Sequence, residues 1–201
     1  MPIIFADRLA GAALAHLSEI PQLHKLTIRN HSPITDTALR HIGSLSALHC
    51  LELDNLGEAE DVKWTSLQAL EPLKDTLRSL RLHGSRRVDR DFPTLAAFTQ
   101  LQNLHMDGSD VDDATLATIG KLTGLKRLSL SGRGMTDDGL RHFKPLSDLE
   151  HLTLDLHGVR GPGLVHLYGL QNLRFLNIFI DQENQQHKEA LRAALPDCTI
   201  R

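Results

Sequence analysis

The sequence has few cysteines, few aromatic residues, no excess of positive charge and no long apolar run. Its two cysteines, Cys50 and Cys198, are too few for a disulfide framework and favour a reducing compartment. A net charge of −3 removes the electrostatic basis for general nucleic-acid binding, which requires a basic face. No apolar run approaches the roughly 18 residues of a membrane span. The N-terminal stretch carries its charges after a short apolar start, unlike a secretory signal.

These absences exclude several classes of protein and favour a cytoplasmic one, with no nucleic-acid or membrane partner. The alternative is an effector that is secreted without a cleavable signal peptide. The sequence contains no Cys-x-x-Cys, His-Glu-x-x-His, phosphate-binding glycine loop or nucleophile elbow. We therefore expect no enzymatic activity, no cofactor and no metal.

Leucine is the residue that the sequence has in excess, with 38 of 201 positions. The pattern Leu-x-x-Leu-x-apolar recurs seven times, and successive first leucines are 25, 29, 24, 24, 24 and 24 residues apart. These first leucines are Leu23, Leu48, Leu77, Leu101, Leu125, Leu149 and Leu173. This first half of each copy alternates apolar and polar residues, which predicts a short strand with one buried face. The second half has an apolar residue at every third position, which predicts a short helix or 3₁₀ turns.

Neither half of a copy can bury its apolar side alone, so neighbouring copies must stack. The sequence therefore predicts an α/β solenoid, a horseshoe with a parallel concave β-sheet and short helices on the convex face. We expect a single domain over residues 1–201. In it, 1–22 form an N-terminal helical cap, 23–178 form the seven repeats, and 179–201 form a C-terminal cap with an edge strand at its end.

Turn and capping residues lie between the two halves of several copies. Gly132, like Gly84 and Gly108, follows a predicted strand, where glycine would tolerate a positive φ. A pair of residues stands just before several helical halves, where side-chain oxygens can accept hydrogen bonds from the free backbone N–H groups of the first turn. These pairs are Thr35-Asp36, Asp112-Asp113 and Thr136-Asp137.

These repeats resemble the leucine-rich repeat family, and within it the bacterial arrays built from 24-residue units. The copy most similar to those units runs from Leu128 to Phe143 and reads LSLSGRGMTDDGLRHF. The resemblance implies a binding scaffold whose partner is set by variable surface residues. The chain departs from many family members in lacking an asparagine after each strand, so it cannot form the asparagine ladder of those relatives.

The residues between the strand leucines should project from the concave sheet in columns. One group of charged residues then comes together from adjacent strands: Glu52, Asp54, Arg81, His83, His105 and Asp107. It can be read as a ladder of opposite charges on a solvated surface or as a polar surface for a partner. A metal or catalytic site is the least favoured interpretation, because an open sheet excludes little water and gives little support to ligands.

The same columns hold further candidates for partner binding. Arg29 and Arg127 project beside the charged group, and Phe175 and Phe179 form an aromatic pair in an aromatic-poor chain. The two rings are either an exposed anchor for a partner or are covered by the C-terminal segment. The longer second repeat forms a secondary candidate, an acidic rim loop with Glu58, Glu60, Asp61 and Trp64.

The sequence thus predicts a monomeric, non-enzymatic scaffold for protein–protein interaction that binds its partner through the concave sheet and the rim loops. Two alternatives stay open: a bacterial effector that recognises a host protein after export, and an inhibitor or immunity protein.

Overall fold

The computed structural model describes residues 2–7, 16–29, 34–54, 67–83, 92–107, 111–179 and 185–201. The chain divides into two compact units, residues 1–109 and residues 110–201. Both units consist of parallel strands alternating with short helices, which confirms the predicted fold class.

The described part of the first unit contains five strands, each parallel to the next and arranged in chain order. They are β1 (Ile3–Asp7), β2 (Lys25–Arg29), β3 (Cys50–Asp54), β4 (Ser79–His83) and β5 (Asn103–Asp107). The helical halves are α1 (Asp36–Gly43) and the 3₁₀ segments His16–Glu19, Leu67–Leu73 and Phe92–Ala97.

The second unit follows the same plan in its described residues. Its strands, again parallel and in chain order, are β6 (Arg127–Gly132), β7 (His151–Leu156), β8 (Phe175–Phe179) and β9 (Thr199–Ile200). Its helical halves are α2 (Asp113–Ile119), α3 (Gln185–Ala194) and the 3₁₀ segments Gly139–Phe143 and Pro162–Leu167. None of the helices in the described ranges is both long enough and apolar enough to cross a membrane.

The structure agrees with the sequence prediction at the C-terminal end of the chain and differs from it at the N-terminal end. Strand β9 pairs with β8, so the predicted C-terminal edge strand is present. The N-terminal segment, predicted as a purely helical cap, instead begins with β1, which pairs along its whole length with β2. The missed strand contains isoleucine and phenylalanine but no leucine, so it lay outside the repeat pattern.

The leucines of each repeat fill the space between strands and helices. In the repeat that includes β7, six leucines are at most 1% exposed: Leu149, Leu152, Leu154, Leu164, Leu167 and Leu170. Burial of each such side chain contributes about 1.5–3 kcal/mol relative to an exposed one. The sequence analysis missed one further buried position of the repeat, which lies between the strand and the helical half. The residues at this position are at most 3% exposed: Ile34, Val111, Met135 and Val159.

Gly132 serves a different purpose from the one predicted for the glycines that follow the strands. Gly132 lies inside β6 and does not have a positive φ; Gly84 and Gly108 lie outside the described residues. A Cβ atom at Gly132 would lie 2.5 Å from the carbonyl oxygen of Val111, so glycine is required there for close approach of the backbone. Among the described glycines, only Gly161 has a positive φ, 107°.

Candidate binding face

Side chains alternate between the core and solvent along the strands, as in β3, whose residues 51 and 53 are buried while 50, 52 and 54 are partly exposed. We call the solvent side of the strands the open face. Because the strands pair in register, the predicted columns exist within each unit. The charged group predicted from the sequence lies on the open face of β3, β4 and β5 in the first unit.

Glu52 is held by two side chains on β2. Its Oε1 lies 2.7 Å from Lys25 Nζ, and Thr27 Oγ1 donates a hydrogen bond of 3.2 Å to its Oε2. The Lys25 and Glu52 side chains are 29% and 20% exposed, so water screens the pair only in part. Burial opposes ionisation of Glu52, but the Lys25 and Thr27 hydrogen bonds outweigh it and lower the pKa of Glu52. The hydrogen bond to Glu52 likewise raises the pKa of Lys25.

Two arginines complete the polar surface of this unit. Arg29 Nε lies 3.4 Å from Asp54 Oδ2, so these two predicted residues form an ion pair between β2 and β3. Arg81 is exposed and stands directly across from Glu52 on one side and His105 on the other. Part of the open face therefore consists of ion pairs between the adjacent strands β2 and β3.

The remaining members of the group converge toward the C-terminal ends of β4 and β5. His83 stands opposite Asp107 in the register of β4 and β5, and His105 precedes Asp107 by two residues on the same face. His105 Nε2 lies 2.5 Å from Asp107 Oδ2. One potential donor atom from each of the three side chains lies within 4.8 Å of the others.

The aromatic pair predicted in the last repeat lies on the open face of the second unit. Phe175 and Phe179 are 49% and 57% exposed, so they are not covered in the described residues. The ring of Phe175 stacks on His151, with centroids 5.0 Å apart and planes inclined by 12°. Beside it lies a shallow depression of about 190 Å³, whose lining includes Asn177 and Arg201.

The sequence analysis missed a matching apolar patch on β1 in the first unit. Ile3 and Phe5 stand opposite Lys25 and Thr27 in register and are 49% and 69% exposed. Lys25 Nζ lies 5.8 Å from the centroid of the Phe5 ring, within range of a cation–π contact. The alternation of Ile3 and Phe5 was the available signal, and it was masked by the helical prediction.

The other predicted site residues stand apart from these groups. Arg127 is exposed at the start of β6 in the second unit. The rim-loop residues Glu58, Glu60, Asp61 and Trp64 lie outside the described residues, so their part in binding stays a prediction.

Comparison with solved structures gives the context for this face. Internalin C2 from Listeria monocytogenes is 19% identical and aligns over 96% of this chain and 84% of its own, with a TM-score of 0.56. Another internalin from that organism aligns over 93% of this chain at 19% identity, with a TM-score of 0.63. A leucine-rich repeat protein of Leptospira interrogans aligns over 92% at 18% identity, with a TM-score of 0.52. The chain has the leucine-rich repeat fold.

This likeness is one of structure. No protein-family model and no curated protein matches the sequence. The alignment with this chain covers 56% of the length of the second internalin and 56% of the length of the Leptospira protein.

In the second unit, two aspartates connect successive repeats. The carboxylate of Asp113 accepts hydrogen bonds from the backbone N–H and the hydroxyl of Thr136, at 2.9 and 2.6 Å. The carboxylate of Asp137 accepts three, from the backbone N–H groups of Arg160, Gly161 and Gly163, at 2.9, 3.0 and 2.7 Å. Each aspartate therefore holds the turn of the following repeat.

The first residue of each predicted capping pair acts within its own repeat, whereas Asp113 and Asp137, predicted to do the same, bind the following repeat. Thr35 and Asp112 accept hydrogen bonds from the backbone N–H groups of Ala38 and Thr115 at the starts of α1 and α2. Thr136 Oγ1 accepts one of 3.3 Å from the Gly139 N–H. Capping and inter-repeat hydrogen bonds together fix the turns that border the strands.

Proposed function

We propose that this leucine-rich repeat protein is a non-enzymatic scaffold that binds another protein through the open face of its strands. The exposure of Phe175 and Phe179 on β8 carries the proposal most directly. Large aromatic side chains are enriched among the residues that dominate interface energetics, because they bury much surface at little entropic cost.

Charge distribution supports the same interpretation. The open face of the first unit presents Arg29 and Arg81 beside Glu52 and Asp54, while that of the second presents aromatic rings. Charged groups at an interface mainly steer the partner and select its orientation, whereas aromatic groups hold it. Each surface is therefore of a kind that protein partners use.

Two titratable groups of the open face, Glu52 and Cys50, are not tuned for catalysis. A general acid at neutral pH needs a raised pKa, whereas the pKa of Glu52 is lowered by its partners. A cysteine nucleophile needs a lowered pKa, whereas burial raises the pKa of Cys50. These directions support binding as the role of the face.

The test is affinity capture from cells of the source organism, followed by mass spectrometry. Wild-type chain is compared with Arg81→Glu, with the Phe175→Ala/Phe179→Ala double variant and with Val165→Ala. Val165 is 51% exposed in a helical half, so it controls for loss of an exposed apolar side chain away from the strands.

We expect a protein that is captured by the wild type and by Val165→Ala and is lost with the double variant. Because the two rings are half-exposed, their removal should cost about 1 kcal/mol or less each and leave the melting transition in place. Capture that is unaffected by every open-face variant would overturn the proposal. The identity of the captured protein distinguishes an adaptor in the cytoplasm from an exported effector or an inhibitor.

A further inference from the structure

We propose that His83, His105 and Asp107 form a binding site for one divalent transition-metal ion of the zinc class. The sequence alone placed a metal site last among its interpretations. The folded chain changes that order because it brings three suitable donors together from two adjacent strands.

The donor set is chemically suited to zinc. Two imidazole nitrogens and one carboxylate oxygen form a common three-residue set for this ion, and water takes the remaining position. The residues come from β4 and β5, whose pairing fixes the backbone on both sides of the site. A rigid pair of strands positions ligands more closely than a loop does.

The distances require only small side-chain adjustments. An ion bound tetrahedrally at about 2.1 Å from each donor needs donor atoms about 3.4 Å apart. His105 Nε2 and Asp107 Oδ2 are 2.5 Å apart and must separate slightly, while the three donors already lie within 4.8 Å of one another. His83 is exposed, so its ring can turn toward the other two without disturbing the core.

Neighbouring charges define the setting of the site. Asp54 stands across from His83 in register, where its carboxylate can orient that imidazole and add negative charge. Arg81 stands across from His105 and opposes a cation, but it is exposed and its guanidinium can extend into water. The His105 and Asp107 side chains are 27% and 32% exposed, and this partial burial strengthens the electrostatic attraction between a bound cation and its donors.

The second unit provides a matched control. His157 Nε2 lies 3.3 Å from Asp155 Oδ1, a histidine–aspartate pair of the same residue separation. In the described ranges, this pair is not part of any three-donor group. His157→Ala therefore removes an equivalent imidazole without touching the proposed site.

The experiment is calorimetric titration of the tag-free full chain with Zn²⁺ alone. We expect one ion per chain with a dissociation constant in the micromolar range. His83→Ala and Asp107→Asn should each weaken binding roughly tenfold or more, since even the loss of an outer partner of a metal ligand costs that much. His157→Ala should bind as the wild type does.

Titration with Co²⁺ gives an independent measurement, because nitrogen and oxygen ligation at low coordination number gives a visible absorption band. The band should appear with the wild type and His157→Ala and be lost with His83→Ala, while circular dichroism shows the same fold for all. The proposal is overturned if the wild type does not bind Zn²⁺ saturably, or if His157→Ala weakens binding as much as His83→Ala does.

Discussion

Replacing Asp137 with alanine should destabilise the second unit far more than replacing its neighbour Asp138. Asp137 accepts hydrogen bonds from the backbone N–H groups of Arg160, Gly161 and Gly163 in the next repeat. Gly161 and Gly163 are buried, so water cannot easily replace the lost carboxylate there. Among the described residues, the carboxylate of Asp138 is paired with the guanidinium of Arg141, one turn away on the exposed surface.

The size of the effect follows from these contacts. A hydrogen bond to a charged group contributes about 1.5–3 kcal/mol, and three that share one carboxylate give less than their sum. We expect Asp137→Ala to lower the free energy of unfolding by about 2–4 kcal/mol, a large part of the about 5–15 kcal/mol typical of a domain. Asp137→Asn keeps one acceptor oxygen and should cost about half as much. Asp138→Ala should cost about 0.5 kcal/mol or less.

Urea unfolding followed by circular dichroism measures all three variants against the wild type. The expected order of destabilisation is Asp137→Ala, then Asp137→Asn, then Asp138→Ala. If Asp137→Ala unfolds at the same urea concentration as Asp138→Ala, the aspartate does not hold the next repeat and the reasoning is wrong.

Two further predictions concern packing and pH. Gly163→Ala should lower the free energy of unfolding by about 1–3 kcal/mol, because its Cβ atom would lie 2.3 Å from the Asp137 carbonyl oxygen. Gly169→Ala, whose Cβ atom would have nothing within 4 Å, should change the free energy of unfolding by about 0.5 kcal/mol or less. Equal melting temperatures for the two variants would contradict the close approach at Gly163. Glu52→Gln should cost about 1 kcal/mol at neutral pH through loss of its ion pair with Lys25. Because the folded pKa of Glu52 is lowered, this contribution is present above the ordinary glutamate pKa and disappears as the pH falls through the folded value. Urea midpoints at neutral and acid pH test it, and a pH-independent difference would contradict it.

The repeat pattern was predictable because burial in this fold depends on local spacing. Leu152 and Leu154 face the core for the same reason as Leu128 and Leu130: alternate residues of a strand share one side. The spacing therefore gave the strands β2 to β8 and the helical halves between them without any knowledge of tertiary contacts.

What escaped prediction depends on contacts between repeats. Strand β1 is recognisable only by its pairing with β2, since it lacks the repeat leucines. The role of Asp137 depends on the turn of the following repeat. A signal existed in the sequence, because Asp113 and Asp137 are 24 residues apart, as are Gly139 and Gly163. A Cβ atom at Gly139 would lie 1.8 Å from an Asp113 carboxylate oxygen, which explains why the two types of residue recur together.

The sequence predicted which residues share a column on the open face, but it did not predict every ion pair that these residues form. Glu52 was grouped with Arg81, its neighbour in the same column, whereas the structure joins it to Lys25, a diagonal neighbour on β2. Side-chain length and rotamer decide which of two neighbouring cations pairs with a carboxylate, and the residue pattern alone does not predict the rotamer. The aromatic pair illustrates the same point, because the exposure of Phe175 and Phe179 depends on where the C-terminal segment lies.

The central claim, that the open face binds a protein partner, is tested most directly by hydroxyl-radical footprinting of the chain with and without the captured protein. Oxidation of Phe175 and Phe179 should fall sharply in the complex, because rings that are 49% and 57% exposed become buried. Oxidation of Val165, 51% exposed in a helical half, should not change. Protection of Val165 with unchanged oxidation of both phenylalanines would place the partner elsewhere and contradict the claim.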